Sequence, residues 1–244
     1  DHDFARRLRS FCDGQKNEFF LVGEMLHGDY NQMVNEGMLH SATNYECYKG
    51  LFSSFNSMNM FEINHSLLRQ FGPENWTLYK GKHLLSFVDN HDVSRIASNL
   101  TNEKHLPLIY ALMFGMPGIP CVYYGSEWGA KADKREGDPA LRACFEKPEE
   151  NDLTEFISIL AKAKKNSRAL NYGDFKSIVL TNKQCIFERK CEDERVLVAI
   201  NADYTAHFDA GCGMAEDLIS GRPHDFGGGS ELPPYSAAFW KMER

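Results

Sequence analysis

Three apolar runs in this chain each stop abruptly at an acid, and this recurrence constrains the fold more than any other feature. "FFLVGEM" (19–25) is apolar up to Gly23 and then meets Glu24. "LLSFVDNHD" (84–92) ends in Asp89, Asn90, His91 and Asp92. "IPCVYYGSEWG" (119–129) is apolar from Ile119 to Tyr124 and then gives Gly125 and Glu127. Short apolar runs bounded by turn-forming residues read as buried strands.

Helical patterns lie between these runs. Residues 3–13 place Phe4, Leu8 and Phe11 on one face, and a strand over 19–24 follows. A short strand is expected near 38–42, then helices over "NYECYKGLFSSF" and "MFEINHSLLRQF". Strand 84–89, helix 103–114 and strand 119–124 come next. Residues 153–170 are the clearest helix: Leu153, Phe156, Ile157, Leu160 and Ala161 recur at the helical period, and Asp152 with Glu155 resembles a capping box. Such alternation means βα units and a parallel sheet. In parallel α/β folds ligands bind at the carboxyl ends of the strands. Glu24, the His91–Asp92 pair and Glu127 are therefore expected on one rim.

After Gly173 the texture changes. "FKSIVLT", "QCIFERK", "RVLVAINA" and "YSAAFWKM" are short β-rich runs with turns between them and no helical signal. They predict a small all-β sandwich domain over 173–244, following an α/β domain over 1–172.

Composition narrows the partners. A net charge of −7 argues against nucleic acid and against anionic membranes. No apolar run approaches the roughly 18 residues of a spanning helix. The opening "DHDFARRLRSF" reads as an amphipathic helix and not as a signal peptide. The seven cysteines are odd in number and include no CxxC pair. A disulfide framework and a zinc site are thus not expected, and free thiols in a reducing, cytoplasmic compartment are. No metal and no cofactor is predicted.

Two carboxylates on one rim are what glycosidic bond cleavage uses. One, protonated, helps the leaving oxygen depart; an anion is needed near the developing oxocarbenium ion. Taken singly, each residue has a plainer reading. Glu24 alone is a helix cap or a solvated loop acid, and His91 alone is a packed or surface histidine. Their joint occurrence in this order carries the argument.

"GEMLHGDY", "FVDNHD" and "GIPCVYYGSEWG" together resemble the later sequence regions of the α-amylase family of glycoside hydrolases, family 13. "MLHSATNYECYKGLFSSFN" resembles the family's sixth strand and helix, and "EDLISG" and "LPPYSAAFWK" resemble strands of its C-terminal β-domain. The resemblance implies a partial (β/α)8 TIM barrel, about units five to eight, followed by that β-domain. It implies that Glu24 is the general acid and base, that Asp92 grips sugar hydroxyls and stabilises the transition state, and that His91 donates to the same sugar. "GDPALR" resembles a segment in which an Asp and an Arg four residues on contact sugar; here these are Asp138 and Arg142, and an i, i+4 ion pair is the rival reading. Arg95 either orients neighbouring carboxylates or is a plain surface arginine. His27 lines the cleft near Glu24 or simply sits in the loop. Tyr123, Tyr124 and Trp128 could stack on sugar rings, with core packing favoured for the two tyrosines.

The departures matter as much. The family's nucleophile is an Asp in a "GxRxD" motif on the fourth strand, and neither it nor the earlier "DxxxNH" motif occurs in these 244 residues. Asp1 and Asp3 do not match, since no apolar strand precedes them, and "DHDFARRLRSFC" resembles the helix after that motif. A whole barrel takes typically ~250 residues, against roughly 170 in the α/β part here. Two classes of function stay open. One is part of a retaining hydrolase or transglycosylase of α-glucans, inactive alone. The other is a non-catalytic relative such as the ectodomain of an amino-acid transporter heavy chain, although those lose catalytic acids and this chain keeps Glu24, His91 and Asp92. A bare half-barrel is expected to associate, either as a homo-oligomer or with a missing N-terminal half.

Overall fold

The chain opens with helix α1 (His2–Gln15), capped by Asp1, whose carboxylate accepts from the amides of Asp3 and Phe4. The computed structural model describes residues 1–243. Strand β1 (Val22–Gly23) then pairs in parallel with β2 (Ser41–Ala42). Helices α2 (Tyr45–Asn56) and α3 (Phe61–Phe71) lead to β3 (Leu85–Phe87). The one-turn helix α4 (Ile96–Asn99) and helix α5 (Leu106–Gly115) precede β4 (Ile119–Cys121), which pairs in parallel with β3. A parallel bridge between Thr43 and Leu85 joins the two pairs, so the strands run in the order β1-β2-β3-β4. Every connection between neighbours is a crossover, as parallel pairing requires.

The paired ladders are shorter than the apolar runs. Residues 19–21 lead into β1 without belonging to it, and Phe20 and Val22 are exposed. Among the described residues β1 has a partner on one side only, and β4 likewise. Helix α1 behaves in the same way. Phe4 and Phe11, expected on its apolar face, are 65% and 64% exposed, and the buried residues are Ala5 and Cys12. Leu8, between the two phenylalanines on the predicted face, is half-buried.

Helix α5 is apolar on all sides and wholly buried from Leu108 to Gly115, with Pro107 in its first turn. Helix α6 (Asp138–Leu141) is a single turn, followed by α7 (Asp152–Asn166) and α8 (Arg168–Tyr172). The N-cap of α7 is Asn151, which accepts from the Thr154 amide, and not the expected Asp152. An amide oxygen one residue earlier does the capping, and Asp152 and Glu155 fall in the first turn, where the helix dipole favours acids.

From Asp174 onward the chain is β only. The strands are β5 (Asp174–Leu180), β6 (Gln184–Lys190), β7 (Arg195–Asn201), β8 (Ala206–Phe208), β9 (Met214–Asp217), β10 (Pro223–Asp225), β11 (Ser230–Leu232) and β12 (Ser236–Met242). Six form one antiparallel sheet in the order β5-β6-β7-β12-β9-β10; β8 and β11 form a separate two-stranded ribbon. The expected sandwich is thus lopsided, a full sheet against a ribbon. Period-two alternation divides its residues. Val196, Val198 and Ile200 join the core shared with the helices, and Leu197 and Ala199 join a second core with Phe226, Leu232 and Trp240. Arg189 of β6 ties the two regions together: its buried guanidinium donates to the carbonyls of Gly115 and Gly173.

Candidate functional site

The carboxyl ends of β1, β2 and β3 present polar side chains to one place. Glu24 follows β1 directly, and its backbone is held on both sides. Gly23 accepts from the Thr43 amide at 3.0 Å, and the Met25 amide donates to Thr43 Oγ1 at 2.9 Å. A Cβ at Gly23 would lie 2.4 Å from Leu39 Cδ1, so the end of that side chain would have to shift to admit one. The Glu24 side chain is exposed, and Tyr45 Oη donates to its Oε1 at 3.4 Å.

Tyr45 stands just past the end of β2, at the start of α2. Its hydroxyl accepts from Asn90 Nδ2 at 2.9 Å, and Asn90 Oδ1 accepts from the Asp92 amide at 2.8 Å. A continuous polar chain therefore runs Asp92–Asn90–Tyr45–Glu24. Burial raises the Tyr45 pKa; the Asn90 bond opposes this, and the negative charges of Glu24 and Asp92 add to it. The phenol stays protonated and keeps its proton for Glu24. Tyr45 falls within the helix expected over "NYECYKGLFSSF", and nothing in that pattern marks it for the rim. The strand-end rule that singled out Glu24 and His91 applies equally to the residues after β2.

Asp92 lies between Arg142 and His91. Its Oδ1 accepts from Arg142 Nη2 at 3.0 Å, and its Oδ2 is 3.4 Å from His91 Nε2. Arg142 Nη2 is also 3.7 Å from Asp138 Oδ2. The i, i+4 ion pair is thus present, and Arg142 reaches the rim as well. Asp138 is exposed and makes no other ion pair among the described residues. His27 is exposed in the loop after Glu24.

Arg95 is not a surface residue. It is 1% exposed, with Nη1 donating to Tyr124 O at 2.7 Å and Ser126 Oγ at 3.1 Å, and Nη2 donating to Leu141 O at 3.1 Å. Its guanidinium lies over the Tyr123 ring at 4.7 Å and the Tyr124 ring at 5.3 Å. The carboxylate it serves is Asp89, through Ser126, whose hydroxyl donates to Asp89 Oδ2 at 2.7 Å. Asp89 Oδ2 also accepts from the Ile96 amide, while Oδ1 is buried without a partner among the described residues. Burial pushes the Asp89 pKa up to about 6; its hydrogen bonds and Arg95 pull it down, and Glu127 adds a further upward push. Glu127, expected on the rim, has Oε2 buried without a partner and bears on Asp89 instead.

Tyr123 and Tyr124 use their hydroxyls on the backbone, donating to Leu141 O at 3.3 Å and Ala143 O at 2.8 Å. Trp128 meets Phe145 edge-on. These aromatics hold the 138–145 segment against the end of β4. Among the described residues no group of three or more His, Cys, Asp or Glu side chains is placed to hold a metal ion. No helix there is long and apolar enough to cross a membrane.

Parallel strands joined by crossovers, with polar side chains at their carboxyl ends and an antiparallel sheet after them, define an α/β fold with a C-terminal β-domain. The chain superposes on the crystal structure of an Anoxybacillus alpha-amylase with a TM-score of 0.83 at 22% identity, covering 99% of this chain and 56% of that one. At that identity the likeness speaks to the fold. The chain belongs to the α-amylase family: the model of the alpha amylase catalytic domain matches residues 1–185. It is 25% identical over 210 residues to the intracellular maltogenic amylase of Bacillus subtilis (strain 168), covering 81% of this chain and 34% of that protein. It is 24% identical over 216 residues to the cyclomaltodextrinase of Thermoanaerobacter pseudethanolicus, covering 82% and 35%. The chain thus spans about a third of the length of these curated relatives.

Proposed function

We propose that this chain supplies the acid/base side of a retaining glycoside hydrolase or transglycosylase acting on α-glucosidic bonds. Starch, maltodextrins and related α-glucans are the substrate class. The observation that carries this reading is the polar chain that links the Glu24 carboxylate after β1, through Tyr45 and Asn90, to the backbone amide of Asp92 after β3. Glu24, exposed and touched only by the Tyr45 hydroxyl among the described residues, is free to protonate a leaving glycosidic oxygen and then to activate water. Asp92 and His91 bind the sugar at the cleaved position. Arg142 donates to the Asp92 carboxylate, and Asp138 flanks Arg142.

In this reading β1 to β4 are units five to eight of the barrel, 1–172 is the barrel part, and 173–244 is the C-terminal domain. Positioned acid catalysis is worth about 10²–10⁴-fold, and the retaining route needs in addition a nucleophile that forms the glycosyl-enzyme. No "GxRxD" motif occurs in the 244 residues, so these residues alone give no turnover. The open sides of β1 and β4 and the exposed Phe4, Phe11 and Phe20 would be covered by an N-terminal half of the barrel or by a second copy. The seven free cysteines and the intracellular relative support a reducing, cytoplasmic setting.

The test is a titration of the chain with acarbose followed by NMR. Signals of Glu24, Tyr45, His91 and Asp92 should move together. Movement confined to residues away from this rim would refute the assignment.

A further inference from the structure

Arg95 and Arg142 are joined by a short path. Arg95 is buried and donates to Leu141 O, and the next residue, Arg142, places its guanidinium on Asp92. Leu141 O also accepts from the Tyr123 hydroxyl, and Ala143 O accepts from the Tyr124 hydroxyl. The carbonyls on both sides of Arg142 are therefore anchored by a single layer, the Arg95 guanidinium and the two tyrosine rings beneath it. Gly125 completes the fit. Its φ is +86°, and a Cβ there would lie 2.6 Å from the Phe145 ring and 3.1 Å from Arg95 Nη1. The one-turn helix α6 lacks a side-chain cap and its Asp138 is exposed, so these contacts act together with the buried Leu141 side chain to fix the segment.

Arg95 is itself held. Its amide donates to Ala132 O at 2.9 Å, and Ser126 links Nη1 to the buried Asp89 carboxylate. A guanidinium suits this position because it is planar, stacks on rings and spreads fixed donors over several acceptors; an ammonium does none of these. We infer that Arg95 is a positioning residue that sets the register of the 138–145 segment so that Arg142 engages Asp92. The inference rests on the reading of Asp92 as part of a glucan site, and its first test does not use that reading.

That test is side-chain NMR of the 244-residue chain without ligand. Arg142 Nε lies 3.5 Å from His91 O and Nη2 lies on Asp92, so its Nε–H signal should be dispersed and slow to exchange. In Arg95→Lys it should collapse to the exposed position and exchange at least about fivefold faster. Val198→Ala, a core change in β7 that lowers the melting temperature comparably, should leave it in place. If Arg95→Lys does not fold, Tyr124→Phe, which keeps the ring and removes the bond to Ala143 O, should move the signal in the same direction by less. An Arg142 signal unmoved by either variant, or moved equally by Val198→Ala, would overturn the inference. The second test is maltotriose affinity. Arg142→Ala and Arg95→Lys should each weaken binding about tenfold, and the double variant should be no weaker than either. Fully additive losses would contradict a route through Arg142. Absence of maltotriose binding by the unmodified chain would count against the glucan site and leave the exchange experiment to decide the positioning role.

Discussion

Arg142 reaches across fifty positions of sequence to place its Nη2 3.0 Å from the Asp92 carboxylate, and in doing so joins the segment after β4 to the acids after β3. Both side chains are nearly half exposed, at 47% and 43%. Exposed pairs of this kind contribute little to stability, about 0–1 kcal/mol. Arg142→Ala should therefore leave the thermal midpoint within a few degrees while weakening sugar binding. Calorimetric melting and maltotriose titration on one sample separate the two effects.

Asp89 should give the chain a distinctive response to pH. Its folded pKa of about 6 lies above the unfolded value of 3.8, so the folded state binds the proton more tightly. The stability this contributes is complete below about pH 4 and is lost as pH rises through about 6. The gap corresponds to ~3 kcal/mol as an upper bound. Asp89→Asn keeps an acceptor for Ile96 and Ser126 and removes the titration. Stability curves of the two proteins, from urea unfolding between pH 4 and pH 7, should diverge as pH rises, with the native chain losing ground. Parallel curves would mean that Asp89 does not titrate in this range.

Gly125→Ala should be costly despite adding one methyl group. The left-handed backbone and the contacts with Phe145 and Arg95 act together, and a loss of about 2 kcal/mol or more is expected. Denaturant midpoints give the size of the effect. A near-neutral substitution would show that the 138–145 segment yields easily.

The candidate site was legible in the sequence where a polar residue sits next to a strand, and illegible where its surroundings depend on distant partners. Glu24, His91 and Asp92 follow apolar runs, so the strand-end argument finds them. Arg95 lies only a few residues further on, yet its burial is created by Tyr123, Tyr124, Ser126 and Leu141, which no local pattern connects to it. The same limit explains Phe4 and Phe11. The helical period gives the apolar face, but whether that face is covered depends on what packs there. The strand over 19–24 shrank to Val22–Gly23 because a ladder needs a partner along its whole length, and β2 contributes two residues. Capping by Asn151 in place of Asp152 shows how readily a helix start moves by one residue when neighbouring side chains can all accept.

The uncovered apolar surface predicts self-association. Phe4, Phe11, Phe20 and Val22 are all exposed. Sedimentation at micromolar concentration should show species larger than 27.8 kDa, and Phe4→Lys with Phe11→Lys should shift the distribution toward monomer without lowering the melting temperature. A monodisperse monomer before substitution would mean that the exposed face is tolerated in solution.

The central claim is that Glu24 moves the proton in glycosidic cleavage. Its most direct test uses a chain joined to upstream residues that carry the "GxRxD" motif, assayed on maltoheptaose as native protein and as Glu24→Gln. Glutamine keeps the shape and cannot act as acid or base, so the rate should fall by about 10²-fold or more while the fold and maltotriose affinity are retained. A Glu24→Gln enzyme that keeps most of its turnover would contradict the account.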